Sequence, residues 1–353
     1  MSSQRRRSTE NKRFTCKIIA MDENSNKAKQ LIENAKKIAI FGHMSPDGDC
    51  IGAMLGLGKL LENQKKKVKY FVPNKPSKIF DFLKGIEKIK SNFDYKNYDL
   101  LIFVDFTGIG RTGMIYQNNP NYFTGKSIVT FDHHIDDDGD ISTLMIKDAG
   151  SISACEILFE HTHKWRPEFY DKDIATYLYL GINSDSGNFL FEEDHIRTFS
   201  NVVQLLKLDA DKDLIVNNLL RKKSFNAIKF LKLLLDRMKQ EGNLLYTYYD
   251  EDELVAYNID HEEAAYGLHV IQNIDGPEIV VLMRKAGNTI RWSLRAKKNE
   301  GENRSQGKID CNMIAKALWW GGHRLAAWFG VPLTGVFETQ IQEIVKTINT
   351  MIA

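Results

Sequence analysis

The sequence predicts an α/β protein with a mainly parallel sheet flanked by helices, followed by a linker helix and a second, smaller α/β domain. Short, continuous apolar runs alternate with helical patterns, which is typical of a sheet covered on both faces. The length of 353 residues suits two domains. A hydrophobic fraction of 43% can fill two cores, and 27% charged residues form an ordinary surface.

The elements of the first domain, predicted at residues 26–210, follow from these runs. Compact apolar strands are predicted at 38–41, 67–72, 100–104 and 127–131. Helical spacing is found around 31–35, from Ile51 after the GHMSPDGD break, and at about 151–163, 172–182 and 195–208.

Residues 211–240 are predicted to form one long linker helix, because apolar residues recur there at helical spacing and Gly242 follows as a plausible stop. The second domain, predicted at 241–353, alternates strands and helices. Its strands are predicted at 244–249, 279–283 and 290–294, and its helices at about 262–273, 310–319 and 338–351.

Several classes of protein are disfavoured by composition. No apolar run approaches the roughly 18 residues of a membrane span, and the N-terminus lacks the apolar core of a signal peptide. The four cysteines form no CxxC pair, which favours reduced thiols in the cytoplasm over a zinc knuckle or a disulfide framework. A net charge of +2 argues for no particular partner. We therefore expect a cytoplasmic protein with no membrane partner.

The basic segment 1–25 is predicted to be a disordered tail, as is usual for polar termini. The alternative is a basic arm that attracts nucleic-acid phosphates.

Histidine and aspartate side chains follow four apolar segments. They are His43, Asp47 and Asp49 after 38–41; Asp105 after 100–104; Asp132, His133 and His134 around the end of 127–131; and Asp185 after the 178–180 run. Function in doubly wound sheets lies beyond the carboxyl ends of the strands, so we expect these side chains to converge.

Each residue taken singly has an ordinary interpretation. An aspartate beside glycine and proline suits a turn, one at a strand end suits a helix N-cap, and adjacent histidines can lie on a surface. Taken together, five aspartates in one place would repel one another unless a cation neutralised them. Mixed histidine and carboxylate ligation suits Mn²⁺ or a similar ion, and the number of carboxylates indicates two ions.

These residues carry a family resemblance. The pattern His43-x-x-x-Asp47-x-Asp49, then Asp105, then Asp132-His133-His134, then Asp185 resembles the four motifs of the DHH phosphoesterase superfamily. Ser293-Leu294-Arg295, Ile309-Asp310 and Gly321-Gly322-His323 resemble its DHH-associated C-terminal domain. The resemblance covers about residues 30–345 and is strongest to the nanoRNase and 3'-phosphoadenosine-5'-phosphate phosphatase group.

The resemblance implies two divalent ions, Mn²⁺ first, with Mg²⁺ or Co²⁺ as alternatives. One ion would be held by His43, Asp47 and Asp105. The other would be held by Asp49, Asp105, His133 and Asp185. A two-metal hydroxide would then attack the phosphorus, so that no serine or cysteine nucleophile is needed.

Other roles are predicted around this centre. Asp132 would orient His133 or its neighbour, and His134 would face the phosphate. Arg111 is a candidate phosphate clamp, with a surface arginine in a glycine-rich loop as the alternative. The resemblance assigns nucleotide binding to Arg295, Gly321, Gly322 and His323, and glycines let backbone N–H groups approach a phosphate.

The sequence departs from the family pattern around His323. Trp319 and Trp320 precede the glycines, and Trp328 follows two alanines. Core packing of a helix that begins near Gly322 is the favoured interpretation, and a surface on which a base stacks is the alternative. The acidic run 136–138 is interpreted as a solvated loop.

The sequence thus predicts a metal-dependent phosphoesterase for short single-stranded oligonucleotides, 3'-phosphoadenosine 5'-phosphate, or both. The alternatives are a phosphodiesterase for linear or cyclic di-AMP and a non-catalytic nucleotide-binding module. Retention of every metal-ligand position in type favours the enzyme. Members of the family are often dimers, so the resemblance adds a homodimer as a candidate assembly of this chain.

Overall fold

The structure, a computed structural model, describes residues 23–134, 139, 141–190, 195–297, 309–317 and 325–352. Several predictions concern positions outside this part of the chain. They are nearly all of the N-terminal tail, the acidic run 136–138, and residues 319–323 with the glycine–histidine motif.

Six parallel strands of the described chain form one sheet, in the order β3-β2-β1-β4-β5-β6. The strands are β1 Lys37–Phe41, β2 Lys67–Phe71, β3 Ile89–Lys90, β4 Leu100–Val104, β5 Ile128–Asp132 and β6 Leu144–Lys147. Strands β4 and β5 are buried throughout, which is why they read as continuous apolar runs. The predicted parallel sheet is confirmed, and the order reverses between β1 and β4.

Helices and loops cover the two faces of this sheet. The helices are α1 Glu23–Asn34, α2 Gly48–Asn63, α3 Met114–Gln117, α4 Ala154–Trp165, α5 Lys172–Asp185 and α6 His195–Lys207. Ile38 and Ile40 face an aliphatic core shared with α2, α4 and α5. The alternate residues Ala39 and Phe41 face an aromatic cluster on the other side. This alternation follows from the two-residue repeat of a strand.

Glycines let α2 lie very close to α5. A Cβ atom built on Gly52 would lie 2.4 Å from the carbonyl oxygen of Tyr177, and one on Gly56 would lie 2.9 Å from Cδ2 of Leu178. The first neighbour is backbone and cannot turn away, whereas the second is the end of a flexible side chain. The close packing matters because α2 and α5 both carry predicted site residues.

Gly52→Ala is expected to destabilise the fold by about 1–3 kcal/mol, because the helices must move apart. Gly56→Ala is the matched control in the same helix. It is expected to be nearly neutral, since the higher helix propensity of alanine, about 1 kcal/mol, offsets a small shift of Leu178. Urea unfolding of both variants measures the difference. Equal stability of the two variants would contradict the packing argument.

The prediction of one long helix over 211–240 is wrong. The chain forms α7 Lys212–Val216, a π-helical turn Asn217–Arg221, and then α8 Phe225–Asp236. Ser224 has extended backbone, and its hydroxyl accepts a hydrogen bond from the Ala227 amide, which begins a new helix. Residues 239–241 are already a strand.

A five-stranded mixed sheet follows, in the order β11-β10-β9-β8-β7. Its strands are β7 Lys239–Glu241, β8 Leu244–Asp250, β9 Ile279–Ala286, β10 Thr289–Ala296 and β11 Ala326–Pro332. Its helices are α9 Glu251–Tyr257, α10 His261–Ile271, α11 Cys311–Ala317 and α12 Phe337–Ile352. One face packs on α11 and α12, and the other on α8, α9 and α10. The second, smaller α/β unit is confirmed, while the domain bounds themselves stay a prediction.

The helix expected from near Gly322 is wrong for the part that the structure describes. Residues 326–332 pair antiparallel with β10, and buried and more exposed side chains alternate along Ala326–Phe329 as in a half-buried strand.

Two expectations from composition bear on the described residues. Cys50, Cys155 and Cys311 are buried and form no disulfide. Within the described ranges, no helix combines the length and the apolar character that crossing a bilayer would require.

Candidate active site

Asp105 lies at the centre of the cluster that the sequence predicts. It is the first residue after β4, is 3% exposed, and has a φ of 55°, which is rare for a residue with a side chain. Its Oδ2 atom lies 3.0 Å from Nε2 of His43. Its Oδ1 atom lies 3.5 Å from Nε2 of His133 and 3.6 Å from Nδ1 of His134. One carboxylate therefore meets three imidazoles from two other loops.

His43 and Asp47 reach the cluster from the loop between β1 and α2. Nδ1 of His43 donates to the Met44 carbonyl at 2.8 Å, which leaves Nε2 to interact with Asp105. Asp47 caps α2 by accepting hydrogen bonds from the Asp49 and Cys50 amides, each at 3.1 Å. Its Oδ1 atom also lies 3.8 Å from Nε2 of His43. Asp47 therefore both caps α2 and belongs to the cluster.

Asp49 is completely buried in the first turn of α2 and joins this helix to α4. Its carboxylate accepts hydrogen bonds from the Ala154 amide at 2.6 Å and the Cys155 amide at 2.9 Å. Burial, followed by the charges of Asp185 and Asp105, raises the pKa of Asp49 well above its usual range. The carboxylate is thus fixed in place at a position where its negative charge is costly.

Asp185 is the last residue of α5, so it arrives from a helix and not from a strand. Its Oδ2 atom lies 3.3 Å from Nε2 of His133. Burial and the charge of Asp47 raise the pKa of Asp185 to about 6, against the opposing hydrogen bond from His133. Burial disfavours protonation of His133, but the nearby carboxylates of Asp105 and Asp185 prevail and raise its pKa well above the usual range. Protons are therefore retained in this cluster at pH values where isolated aspartates have lost them.

Asp132 contacts His134, the neighbour of His133. Its buried Oδ1 atom lies 2.7 Å from Nδ1 of His134 and accepts a hydrogen bond from the Phe106 amide at 3.1 Å. Nζ of Lys147 lies 3.7 Å from the other oxygen. Because Phe106 follows Asp105 directly, Asp132 fixes both an imidazole and the loop after β4.

The donor atoms fit divalent cations. Three sets of residues could each hold a cation, because one possible ligand atom from every member lies within 4.8 Å of those of the others. The sets are His43, Cys50 and Asp105; Asp105, His133 and His134; and Asp49, His133 and Asp185. Oδ1 of Asp105 is buried and accepts no hydrogen bond, so it has an unused lone pair in the middle of the cluster. Carboxylate oxygens and imidazole nitrogens are donors that Mn²⁺ and related ions accept.

Cys50 is the residue that sequence reasoning missed here. It follows Asp49 directly and is completely buried beside His43. Burial raises the pKa of its thiol, which keeps it neutral and a poor ligand for hard cations. The sequence feature that could have indicated Cys50 is its position directly after Asp49, a predicted metal ligand.

Arg111 lies beside the cluster, on the short 3₁₀ turn Ile109–Thr112. Its carbonyl accepts a hydrogen bond from the Met44 amide at 2.9 Å, which ties this turn to the residue after His43. Its guanidinium lies 5.6 Å from the centre of the Trp328 ring on β11. Arg295 is on β10, where Nη1 donates to the Leu294 carbonyl at 2.8 Å. The roles of both arginines stay predictions.

Comparison with known proteins places these residues in a wider context. Residues 37–182 match the N-terminal domain of the DHH family. The bifunctional oligoribonuclease and PAP phosphatase NrnA of Mycoplasma genitalium is 27% identical over 318 residues, which cover 89% of this chain and 93% of that protein. The protein of the same name from Bacillus subtilis is 24% identical over 300 residues, covering 82% and 88%.

A solved structure shows the same fold. It is an exopolyphosphatase-related protein from Bacteroides fragilis, with a TM-score of 0.83 and 22% sequence identity. The match covers 96% of this chain and 99% of that one, so it extends over both sheets.

Proposed function

This chain belongs to the DHH superfamily, and on that premise we propose that it is a metal-dependent phosphoesterase. Its substrates would be short oligonucleotides, cleaved to mononucleotides, and 3'-phosphoadenosine 5'-phosphate, converted to AMP. The observation that carries the proposal is the placement of Asp105. Its carboxylate lies where the strand order reverses, among three histidines, with a buried oxygen atom that accepts no hydrogen bond.

The ligand sets in the proposal are those that the family resemblance implies; the sets of adjacent donor atoms among the described residues include Cys50 and His134 and do not include Asp47. His43, Asp47 and Asp105 would hold one cation, and Asp49, Asp105, His133 and Asp185 the other. When bound, two cations, Mn²⁺ in our proposal, would activate water and neutralise charge on the phosphoryl oxygens. Cys50, being neutral, would shape the pocket without ligating.

The remaining side chains would act on the substrate itself. Asp132 accepts a hydrogen bond from Nδ1 of His134, and with both ring nitrogens protonated this side chain would donate from Nε2 to a phosphoryl or leaving oxygen. Arg111 would donate two parallel hydrogen bonds to the same phosphate. Arg295 would bind the nucleotide together with Gly321, Gly322 and His323, which lie outside the described residues.

We also propose that the enzyme acts in the cytoplasm, as the composition of the chain favours, and as a homodimer, as the family resemblance suggests. Sedimentation of the purified chain tests the second point.

A substrate panel tests the activity. With Mn²⁺ present, we expect mononucleotides from RNA of two to five residues and AMP from 3'-phosphoadenosine 5'-phosphate, both followed by chromatography. A long single strand is the control and should be cleaved far more slowly, because the proposed binding of the nucleotide by the second sheet would suit short chains. Turnover confined to linear or cyclic di-AMP would replace the proposed substrate. Nucleotide binding without any turnover would indicate a binding module.

A further inference from the structure

We propose that Trp328 is the residue on which a nucleobase of the substrate stacks. The proposal rests on the proposed function, since it names the part of a nucleotide that the second sheet recognises. It assigns a specificity role to one side chain of β11, with the described strands β10 and β11 as its scaffold.

The first observation is that Trp328 does not belong to the core of the second sheet. Its side chain is 38% exposed, whereas its neighbours Ala327 and Phe329 are buried. Trp292, on the adjacent strand, is only 2% exposed and packs against Phe329 with ring centres 4.3 Å apart. The interpretation of Trp328 as a core residue is therefore wrong. A large, partly exposed aromatic side chain calls for another explanation.

The second observation is that small residues surround the ring on its own face of the sheet. Along β11 this face carries Ala326, Trp328 and Gly330, because side chains alternate along a strand. Directly across on β10, Trp328 pairs with Ser293. The directly paired residue and the two neighbours along β11 on this face are thus small, which leaves room for a flat group against the indole.

The third observation is that positive charge frames this space. Arg291 and Arg295 lie on the same face of β10 as Ser293, two residues to either side, and pair with Gly330 and Ala326. Arg291 is exposed and forms no salt bridge within the described chain. A ring with arginines at the two diagonal positions of the neighbouring strand suits a ligand that combines an aromatic base with phosphates.

The fourth observation connects the ring to the cluster of histidines and aspartates. The guanidinium of Arg111 lies 5.6 Å from the centre of the Trp328 ring, while the backbone of Arg111 is bonded to Met44, next to His43. One residue therefore touches both the indole and the segment that carries His43. In this proposal, a nucleotide with its phosphate at the cluster would place its base against Trp328, on the side that Arg111 already contacts.

The contact with Arg111 also allows a simpler role, in which Trp328 only holds the two parts of the chain together. The two roles differ in what they demand of the substrate. A stacking residue discriminates between a dinucleotide and its analogue without bases, whereas a residue that only joins two domains affects both substrates equally.

The experiment compares Trp328→Ala and Trp328→Phe on a dinucleotide and on the same dinucleotide with both bases replaced by hydrogen. For the normal substrate, Trp328→Ala should lower kcat/KM by about 5- to 140-fold, the range that one base–aromatic stack contributes. The effect should lie mainly in KM, and Trp328→Phe should restore most of it. For the analogue, neither variant should matter. Equal losses on both substrates would overturn the proposal.

Phe225→Ala is the matched control, because Phe225 is another exposed aromatic side chain with a nearby cation, the ammonium of Lys229. It should leave both substrates unaffected. Circular dichroism and thermal unfolding establish that each variant is folded.

Binding of AMP and of ribose 5-phosphate separates this proposal from the proposed activity. If the chain hydrolyses nothing, but Trp328→Ala weakens AMP and not ribose 5-phosphate, the activity is wrong and the stacking role stands. If hydrolysis is found and Trp328→Ala weakens neither ligand, the stacking role alone is wrong.

Discussion

Asp105→Asn is expected to abolish turnover, lowering kcat by more than about 100-fold while the chain stays folded. Loss of a group that merely supports a metal ligand costs roughly 10- to 100-fold, so loss of a carboxylate that serves two cations should exceed this range. The asparagine side chain has nearly the same shape as that of aspartate. It is uncharged, however, and its NH2 group carries partial positive charge where a carboxylate oxygen would bind a cation. Initial rates on a dinucleotide at saturating Mn²⁺ measure the effect.

Asparagine is the suitable replacement because Asp105 has a φ of 55°. Asparagine tolerates this left-handed region better than alanine, so lost activity would not reflect a distorted backbone. Asp99→Asn is the control. Asp99 lies at the opposite end of the same strand, where it accepts hydrogen bonds from the Lys36 and Lys37 amides. Asp99→Asn should lower the free energy of unfolding and leave the activity unchanged. Activity of Asp105→Asn within tenfold of the unmodified enzyme would refute the proposal that Asp105 is a ligand of both cations.

Removal of metal is the second large effect that we expect. A chelator should reduce activity to background, and Mn²⁺ should restore it, because the charges of Asp49, Asp105 and Asp185 oppose one another at close range. Metal should also stabilise the fold, by about 2.7 kcal/mol at a concentration one hundred times its Kd. Thermal unfolding with and without Mn²⁺ measures this, with Mg²⁺ and Co²⁺ compared at equal concentration. Full activity in protein shown by elemental analysis to be metal-free would rule out the mechanism.

The same experiment has a pH dependence with a definite sign. In the metal-free chain, Asp185 has a pKa of about 6, above that of an unfolded aspartate. The folded state then binds more protons than the unfolded state, so the free energy of unfolding should fall as the pH rises from about 4 to about 6. Bound cations would replace these protons. The free energy of unfolding should therefore depend less steeply on pH when Mn²⁺ is present.

The parts of the fold that the sequence predicts well are those where burial determines the pattern. β1, β4 and β5 lie inside a sheet covered on both faces, so each is a continuous apolar run. The ends of β1, β4 and β5 then locate His43, Asp105 and His133 without further information. Asp185 arrives differently, at the end of a helix.

The parts that the sequence predicts poorly depend on local hydrogen bonds or on distant contacts. The apolar spacing of α7 and α8 continues through the break at Ser224, so periodicity alone gives a single helix. β11 begins with two alanines, which suit helices as well. The contact between Arg111 and Trp328 joins residues far apart in sequence, and no local pattern indicates it.

Asp47 and Asp49 each accept hydrogen bonds from the first turn of a helix, α2 and α4 respectively. Mutation at either position would therefore lower the stability of the fold as well as the proposed activity. A descendant of this chain that had ceased to be an enzyme would be expected to keep both aspartates for the sake of its helices. In judging whether a distant homologue is still active, the identities of its residues at positions 105 and 185 are thus more informative than those at 47 and 49.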